Sequence, residues 1–202
     1  MRLSLAIALI WGLLAVPTTA DPITPLADSS AYQFDNESST MMVYGSSNVR
    51  DWDMTVTQIN GSVLLGEAEE TLPSIRKIQV EVPVKNMVSE KDRLQRHAHE
   101  AVKKEEHPTL SFVSSDVNVA SAEADSFSVV ANGDLTIKGN TRSVTLSAKG
   151  TQQSDGTLRV SGEHRLKLST FEVERPSLMF GAIKVDDPIR IGFDVVLKPR
   201  TE

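Results

Sequence analysis

The sequence predicts an all-β protein, an extended antiparallel eight-stranded β-barrel with one inserted amphipathic helix. Three observations predict it. Apolar residues alternate with polar ones along most of the chain, tight-turn sequences separate the alternating runs, and one segment has helical spacing instead. Alternation with one polar face is typical of an antiparallel sheet that is buried on one side only.

The alternation is clearest near the C-terminus, where every second residue of 189–197 is apolar. The same pattern recurs in 158–168, 144–148 and 78–84. Period two defines strands because successive side chains of a strand point to opposite faces of the sheet. We therefore predict strands near residues 32–35, 39–47, 53–66, 75–84, 109–120, 126–138, 141–152, 157–168 and 188–198.

Turn sequences fit these strands. Gly139-Asn140 and the segment 154–157 (SDGT) each separate two alternating runs and predict tight hairpins. Asn60-Gly61 has two interpretations: a hairpin, or a bulge within one long strand, because alternation resumes at Val63. Strands of ten or more residues favour a closed barrel over a sandwich, and an eight-stranded barrel is just wide enough for one slender ligand.

Residues 89–104 are the segment with helical spacing. Ser89 is a suitable N-cap, and Pro108 prevents the helix from continuing. We expect its apolar stripe to lie on the sheet, with Leu94 as a lid; the stripe consists of Leu94, Ala98, Ala101 and Val102. Residues 169–188 have no steady period and predict a loop with one helical turn, rich in Phe and Met.

The N-terminus predicts export. Residues 1–20 have a positive start, an apolar run and small residues before Ala20, which is typical of a secretory signal peptide; an N-terminal membrane anchor is the alternative. We expect residues 21–30 to be a mobile lead-in and 31–199 to form the barrel domain. The chain has no cysteine, hence no disulfide, and 27 acidic against 21 basic side chains, a balance that argues against nucleic-acid binding.

The window 43–54 (VYGSSNVRDWDM) combines serines, aspartates and an arginine, as a hydrolase site does. However, no Gly-x-Ser-x-Gly motif surrounds Ser46 or Ser47. We interpret the window as a strand bend at the barrel rim, with Trp52 and Met54 facing inward and Val49 close by.

The four histidines suggest no metal site by spacing. His97 and His99 lie two residues apart on the predicted helix, which turns them about 200° away from each other. His164 differs because it falls on the apolar parity of its strand. It is either a core histidine bonded to a backbone carbonyl or a polar contact for a ligand headgroup.

The inward-facing apolar residues either fill a core or line a lumen. An aromatic content of 5% leaves few bulky groups to fill a wide barrel, which favours a lumen. The predicted ligand-binding residues are Val49, Trp52, Met54, Met87, Leu94, Leu110, Phe112, Leu135, Ile137, His164, Leu166, Phe171, Met179, Phe180, Ile183 and Phe193.

Five motifs in this order, GSSNVRDW, MVSEKDRLQRH, KKEEHPTLSF, NGDLTIKGNTRSVTL and FGAIKVDDPIRIGFDV, resemble the YceI-like family of exported, lipocalin-like barrels. The resemblance runs from about Tyr32 to Leu197. It implies a long apolar lumen that binds polyisoprenoid or amphipathic lipids, such as a quinone tail, and no established catalytic activity. Many members carry a phenylalanine and a histidine in the first long strand, where this chain has MMVYGSSNVRDWDM.

Together these observations predict a periplasmic or secreted protein that sequesters or carries an isoprenoid-type lipid. We expect no enzyme activity, no metal and no cofactor apart from a bound isoprenoid quinone or polyprenol. Expected partners are the hydrophobic lipid and, during transfer, a membrane surface, but no nucleic acid; monomer and homodimer both stay open. The alternatives are a ligand-free β-domain that mediates protein–protein interaction in the periplasm and a hydrolase.

Overall fold

The computed structural model describes residues 31–66, 73–122, 126–178 and 182–200. The predicted signal peptide and lead-in lie outside these residues, as do Met179 and Phe180. The strands are β1 (Ala31–Phe34), β2 (Thr40–Ser47), β3 (Asp51–Val56), β4 (Asn60–Leu65), β5 (Ile75–Pro83), β6 (Met87–Val88), β7 (Thr109–Ser121), β8 (Ser126–Ile137), β9 (Asn140–Gln152), β10 (Leu158–Lys167), β11 (Ser177–Leu178) and β12 (Ile183–Pro199). Helix α1 spans Asp92–Ala101, and two 3₁₀ helices span Val84–Asn86 and Leu168–Phe171.

The strands form a closed, antiparallel, eight-stranded barrel, as predicted. Three of its eight positions are each shared by two strands, β1 with β2, β3 with β4, and β5 with β6. The barrel closes at β12, which pairs with β10 along one edge and with β1 and β2 along the other. We call the end that carries α1 and the β8–β9 turn the upper end, and the end with the β9–β10 turn the lower end.

The β1–β2 position and the β3–β4 position are each interrupted, and two hydrogen bonds connect the two interruptions. The Asn36 side chain accepts from the Ile59 amide at 2.7 Å and donates to the Ile59 carbonyl at 3.0 Å. It thereby joins the β1–β2 and β3–β4 breaks. The hairpin at Asn60-Gly61 is wrong because β3 and β4 do not pair with each other, and the single strand predicted over 53–66 is also wrong because it is broken at residues 57–59, so that Asn60 begins β4. At Gly61, with φ +126°, a Cβ would lie 2.0 Å from the Gln79 carbonyl oxygen.

The β8–β9 hairpin is confirmed, but its turn lies one residue earlier than predicted. Ile137 pairs with Asn140, so the two turn residues are Lys138 and Gly139. Both have positive φ, 52° and 73°, which suits a two-residue turn of the type that right-twisted strands favour.

The predicted helix is confirmed but shorter. It begins at Asp92 with Lys91 as the N-cap, so Ser89 is not the N-cap. Ser89 is held outside the helix because its hydroxyl donates to the Asp53 carbonyl at 3.3 Å and its amide donates to Gln95 Oε1 at 3.0 Å. The predicted apolar stripe packs against the barrel core; its residues are Leu94, Ala98, Ala101 and Val102. No helix in the described part of the chain is long and apolar enough to cross a membrane.

Candidate ligand-binding lumen

An apolar cavity of about 200 Å³ runs inside the barrel. Side chains from β1, β2, β3, β4, β5, β6, β7, β8, β9, β10 and β12 line it. Toward the lower end lie Phe34, Ile75 and Leu158, and toward the upper end Leu110 and Ile137. The cavity therefore follows the length of the barrel.

Seven of the predicted ligand-binding residues line this lumen: Met87, Leu110, Phe112, Leu135, Ile137, His164 and Phe193. Each lies on a strand and has the inward parity that alternation predicts. Their role in ligand binding stays a prediction.

Other predicted residues lie elsewhere. Met54, Leu166 and Phe171 are buried in the hydrophobic core, and Trp52 and Leu94 pack against that core without lining the lumen. Strand parity does not distinguish a lumen residue from a packed core residue, as Trp52, Met54 and Leu166 show.

Val49 and Ile183 lie outside the lumen as well. Val49 is 61% exposed because it lies in the turn between β2 and β3, beyond the barrel wall. Ile183 is the first residue of β12 and pairs with Leu178. Met179 and Phe180, between these two strands, are outside the described residues.

Sequence reasoning missed most of the lumen wall. Further lining residues are Phe34, Met41, Val43, Val56, Val63, Ile75, Ile78, Val80, Val82, Ser111, Val129, Ala131, Leu146, Ala148, Leu158, Val160, Ile191, Val195 and Leu197. Most are small or β-branched residues at ordinary inward strand positions. Alternation predicted an interior position for those in 78–84, 144–148, 158–168 and 189–197, and no motif marks any of them as a ligand contact.

The upper end is filled by side chains. Met54 and Phe171 are each 1% exposed, and Leu166 is buried beside them in the same core cluster. Phe171 ends the second 3₁₀ helix, which confirms the helical turn predicted near the start of residues 169–188, but the loop prediction is wrong at 177–178 and from 183 onward, where β11 and β12 form a hairpin. The upper end is thus sealed by packing, and α1 lies against it.

His164 is the ionisable residue of the lumen wall. It lies on β10 opposite Ile191 of β12 and is half-buried. Burial lowers the pKa of its imidazole below the ordinary value of 6.5. Neither ring nitrogen hydrogen-bonds to another described residue, so the backbone-carbonyl bond considered from the sequence is not formed. A neutral imidazole therefore lies beside an apolar cavity, and neither of its ring nitrogens is bonded to a described side chain or backbone group.

The polar window 43–54 forms a structural turn. The Ser47 hydroxyl accepts from the amides of Val49 and Arg50 and donates to the Arg50 carbonyl at 2.9 Å. Asn48 fixes the turn on β12, since its side chain donates to Ala182 O and accepts from Lys184 N, both at 2.9 Å.

Ser46 is likewise engaged in structure. Its hydroxyl donates to Asp186 Oδ2 at 2.6 Å, and its carbonyl accepts from Trp52 Nε1 at 3.0 Å. No described histidine hydrogen-bonds to Ser46 or Ser47, so the arrangement that activates a serine nucleophile is not formed among the described residues.

The helix histidines contact different groups. His97 Nδ1 lies 3.2 Å from Glu100 Oε2, whereas His99 Nε2 lies 2.8 Å from the Met87 carbonyl. Within the described ranges, no three His, Cys, Asp or Glu side chains are grouped so that they could hold a metal ion.

A closed antiparallel barrel around an apolar lumen, with a helix across one end, defines the class of lipocalin-like barrels. Within that class the chain belongs to the YceI-like family, because the model of the YceI-like domain matches residues 32–197. The resemblance found in the sequence is thereby confirmed. No curated protein matches the chain in sequence.

Solved structures share the fold. BcnA of Burkholderia cenocepacia is 20% identical with a TM-score of 0.64, and the match covers 81% of this chain and 98% of BcnA. A domain of Saccharophagus degradans described as polyisoprenoid binding is 10% identical with a TM-score of 0.65, over 84% of this chain and 98% of the domain. The Campylobacter jejuni YceI protein is 17% identical with a TM-score of 0.53, over 72% of this chain and 82% of its own.

Proposed function

We propose that this protein binds an isoprenoid-type lipid in the lumen of its barrel and sequesters or carries it. The observation that carries the proposal is the apolar cavity of about 200 Å³ along the barrel. An apolar cavity of about 150 Å³ is enough to hold benzene, so this lumen has room for a section of an isoprenoid chain. Membership in the YceI-like family and the polyisoprenoid-binding domain with the same fold support the same ligand class.

The physical chemistry of the lumen fits a lipid tail. Each CH₂ group transferred from water to an apolar site contributes roughly 0.8 kcal/mol, so a few isoprene units provide ample driving force. Met41 and Met87 line the lumen, and the flexible methionine side chain adapts its shape to an irregular chain. No metal and no charged contact is needed for such binding.

The predicted signal peptide, residues 1–20, supports a periplasmic or secreted location for this binding protein. There the barrel would shield an apolar lipid from water while it passes to or from a membrane. Ser46 and Ser47 make structural hydrogen bonds and no described histidine bonds to them, which supports the proposal of a binding protein over a hydrolase at this window.

Mass spectrometry of the protein as produced is the test. The full chain is exported in a bacterial host, and mature residues 21–202 are purified without detergent. Their masses under native and denaturing conditions are compared before solvent extraction. A stoichiometric isoprenoid supports the proposal. A protein that carries no lipid and does not bind added quinones or polyprenols would overturn the proposal and favour a ligand-free domain that binds other proteins.

Two neighbouring residues of β8 provide a matched pair of variants. Val129 lines the lumen and is 5% exposed, whereas Val130 is 38% exposed. Val129→Phe should reduce lipid retention because it occupies the lumen, and Val130→Phe should leave retention unchanged. Equal retention by both variants would place the lipid somewhere other than the lumen.

A further inference from the structure

The wall of the barrel has a gap between β9 and β10. The two strands pair from Leu158↔Gln152 to Gly162↔Ala148, and there the pairing stops. Above this point, residues 163–167 of β10 pair with β12 alone, and residues 140–147 of β9 pair with β8 alone. The unpaired stretch of β10 is roughly 13 Å long at 3.3 Å per residue.

The gap has defined borders. At its lower border, Gly162 allows a close approach, because a Cβ there would lie 2.7 Å from the Ser147 carbonyl oxygen and from Phe193 Cζ. At its upper border, Asn140 Nδ2 donates to the Phe171 carbonyl at 3.0 Å. The second 3₁₀ helix therefore holds the top of β9, and the gap lies between these two contacts.

His164 lies on the β10 side of this gap. Continuing the register of the paired segment places His164 opposite Leu146, and both residues line the lumen. The imidazole is thus the hydrogen-bonding side chain at the point where an apolar cavity meets an unpaired stretch of the wall. A neutral imidazole offers one donor and one acceptor.

Most charges around the gap are paired, and Lys167, which makes no ion pair among the described residues, has the exterior parity of Glu163 and Arg165 and so lies on the opposite face of β10 from His164. Arg142, on the β9 side, lies 3.6 Å from Glu172 Oε1. On the exterior face of β10, Arg165 lies 3.3 Å from Glu163, which also accepts from Arg190 at 3.0 Å. Burial keeps the pKa of His164 low, so its imidazole is neutral at neutral pH. These surroundings suit an uncharged headgroup better than a phosphate.

We propose that the polar end of the bound lipid lies in the β9–β10 gap, where the His164 imidazole hydrogen-bonds an uncharged oxygen of the headgroup. The proposal rests on the proposed function and specifies its ligand as an isoprenoid with an alcohol, phenol or quinone head. The tail extends from the gap into the apolar lumen. His164 is then a specificity-determining residue that selects for the oxygen.

The probes are three ligands that share a farnesyl tail and differ in the headgroup: farnesol, the hydrocarbon farnesene and farnesyl phosphate. Their affinities are measured for delipidated residues 21–202 with native His164, with His164→Leu and with His164→Gln. The leucine variant should bind farnesol about five- to tenfold more weakly, as expected for one lost hydrogen bond, and should bind farnesene at least as tightly as before. The glutamine variant should keep most of the farnesol affinity because it retains a donor and an acceptor.

Each other outcome contradicts a specific part. The placement of the headgroup is wrong if His164→Leu binds farnesol as tightly as the native protein does. It is also wrong if the substitution weakens farnesene binding as much as farnesol binding. In both cases lipid binding itself stands. If the native protein prefers farnesyl phosphate, the uncharged class is wrong. If it binds none of the three ligands, the proposed function fails together with this inference.

Discussion

Gly45 and Trp52 face each other across β2 and β3 near the upper end of the barrel. A Cβ on Gly45 would lie 2.1 Å from Trp52 Cζ2, so the indole ring occupies the space that any other residue would need. The ring is fixed by the bond from Nε1 to the Ser46 carbonyl. The glycine in the window 43–54 thus has a packing role.

We expect Gly45→Ala to destabilise the fold by about 1–3 kcal/mol, because the added methyl group must displace the indole ring. Gly192→Ala is the matched strand control, since a Cβ there would meet Tyr44 Cε2 at an ordinary 3.5 Å. Urea unfolding followed by tryptophan fluorescence measures both, and Trp52 is the sole tryptophan of residues 21–202. Equal unfolding midpoints for the two variants would refute this packing.

His164 makes stability depend on pH. Because burial lowers its pKa in the folded state, the unfolded chain takes up the proton first. Stability should therefore decrease as pH falls through the unfolded value of 6.5 and level off below the folded pKa. Carboxyls with lowered pKa, such as Asp194 beside Arg159, act in a lower window, because their stabilisation is lost only as pH falls below the ordinary 3.8.

The measurement is the change in urea midpoint between about pH 7.5 and about pH 5, compared for the native protein and His164→Gln. The native protein should lose more stability than the variant over this range. An identical change in both proteins would show that His164 titrates equally in the folded and unfolded states.

At the scale of elements, β9 and β10 should show two kinds of backbone. Amides that face a paired strand exchange slowly, whereas those in the gap lack a partner strand. Hydrogen–deuterium exchange tests this in residues 143–147 and 163–167. Amides bonded to β8 or β12 should exchange slowly, and amides that face the gap should exchange fast. Residues 148–151, which pair with both β8 and β10, are the internal control. Uniformly slow exchange along both strands would mean that the gap closes in solution.

Alternation predicts the strands, including β1 and β2 as separate runs, but it does not predict the break between β3 and β4. β9 and β10 lie within one residue of their predicted bounds because one face of each is buried, whereas β12 begins at Ile183, five residues earlier than predicted. The breaks between β1 and β2 and between β3 and β4 depend on the two bonds between Asn36 and Ile59, which are 23 residues apart. Such a bond between distant residues has no signature in local hydrophobic period.

For the whole molecule, the sequence predicted the barrel and the parity of its interior but not which interior positions stay open. Phe171 and Phe193 are both inward aromatic residues, yet Phe171 seals the upper end and Phe193 lines the lumen. The difference comes from the second 3₁₀ helix, which turns Phe171 over the barrel end. Free volume is a property of how all strands pack together, so single positions do not reveal it.

This difference between a lumen and a packed core is testable with two buried alanines. Ala131 is 3% exposed and lines the lumen, whereas Ala31 is 2% exposed and does not. Enlarging a residue in a packed interior costs about 1–3 kcal/mol, so Ala31→Leu should lower the thermal midpoint. Ala131→Leu should leave the midpoint of the delipidated protein unchanged or raise it, since the new methyl groups enter free space, and should weaken farnesol binding. Equal destabilisation by both variants would mean that the interior is filled and that the barrel is not a container.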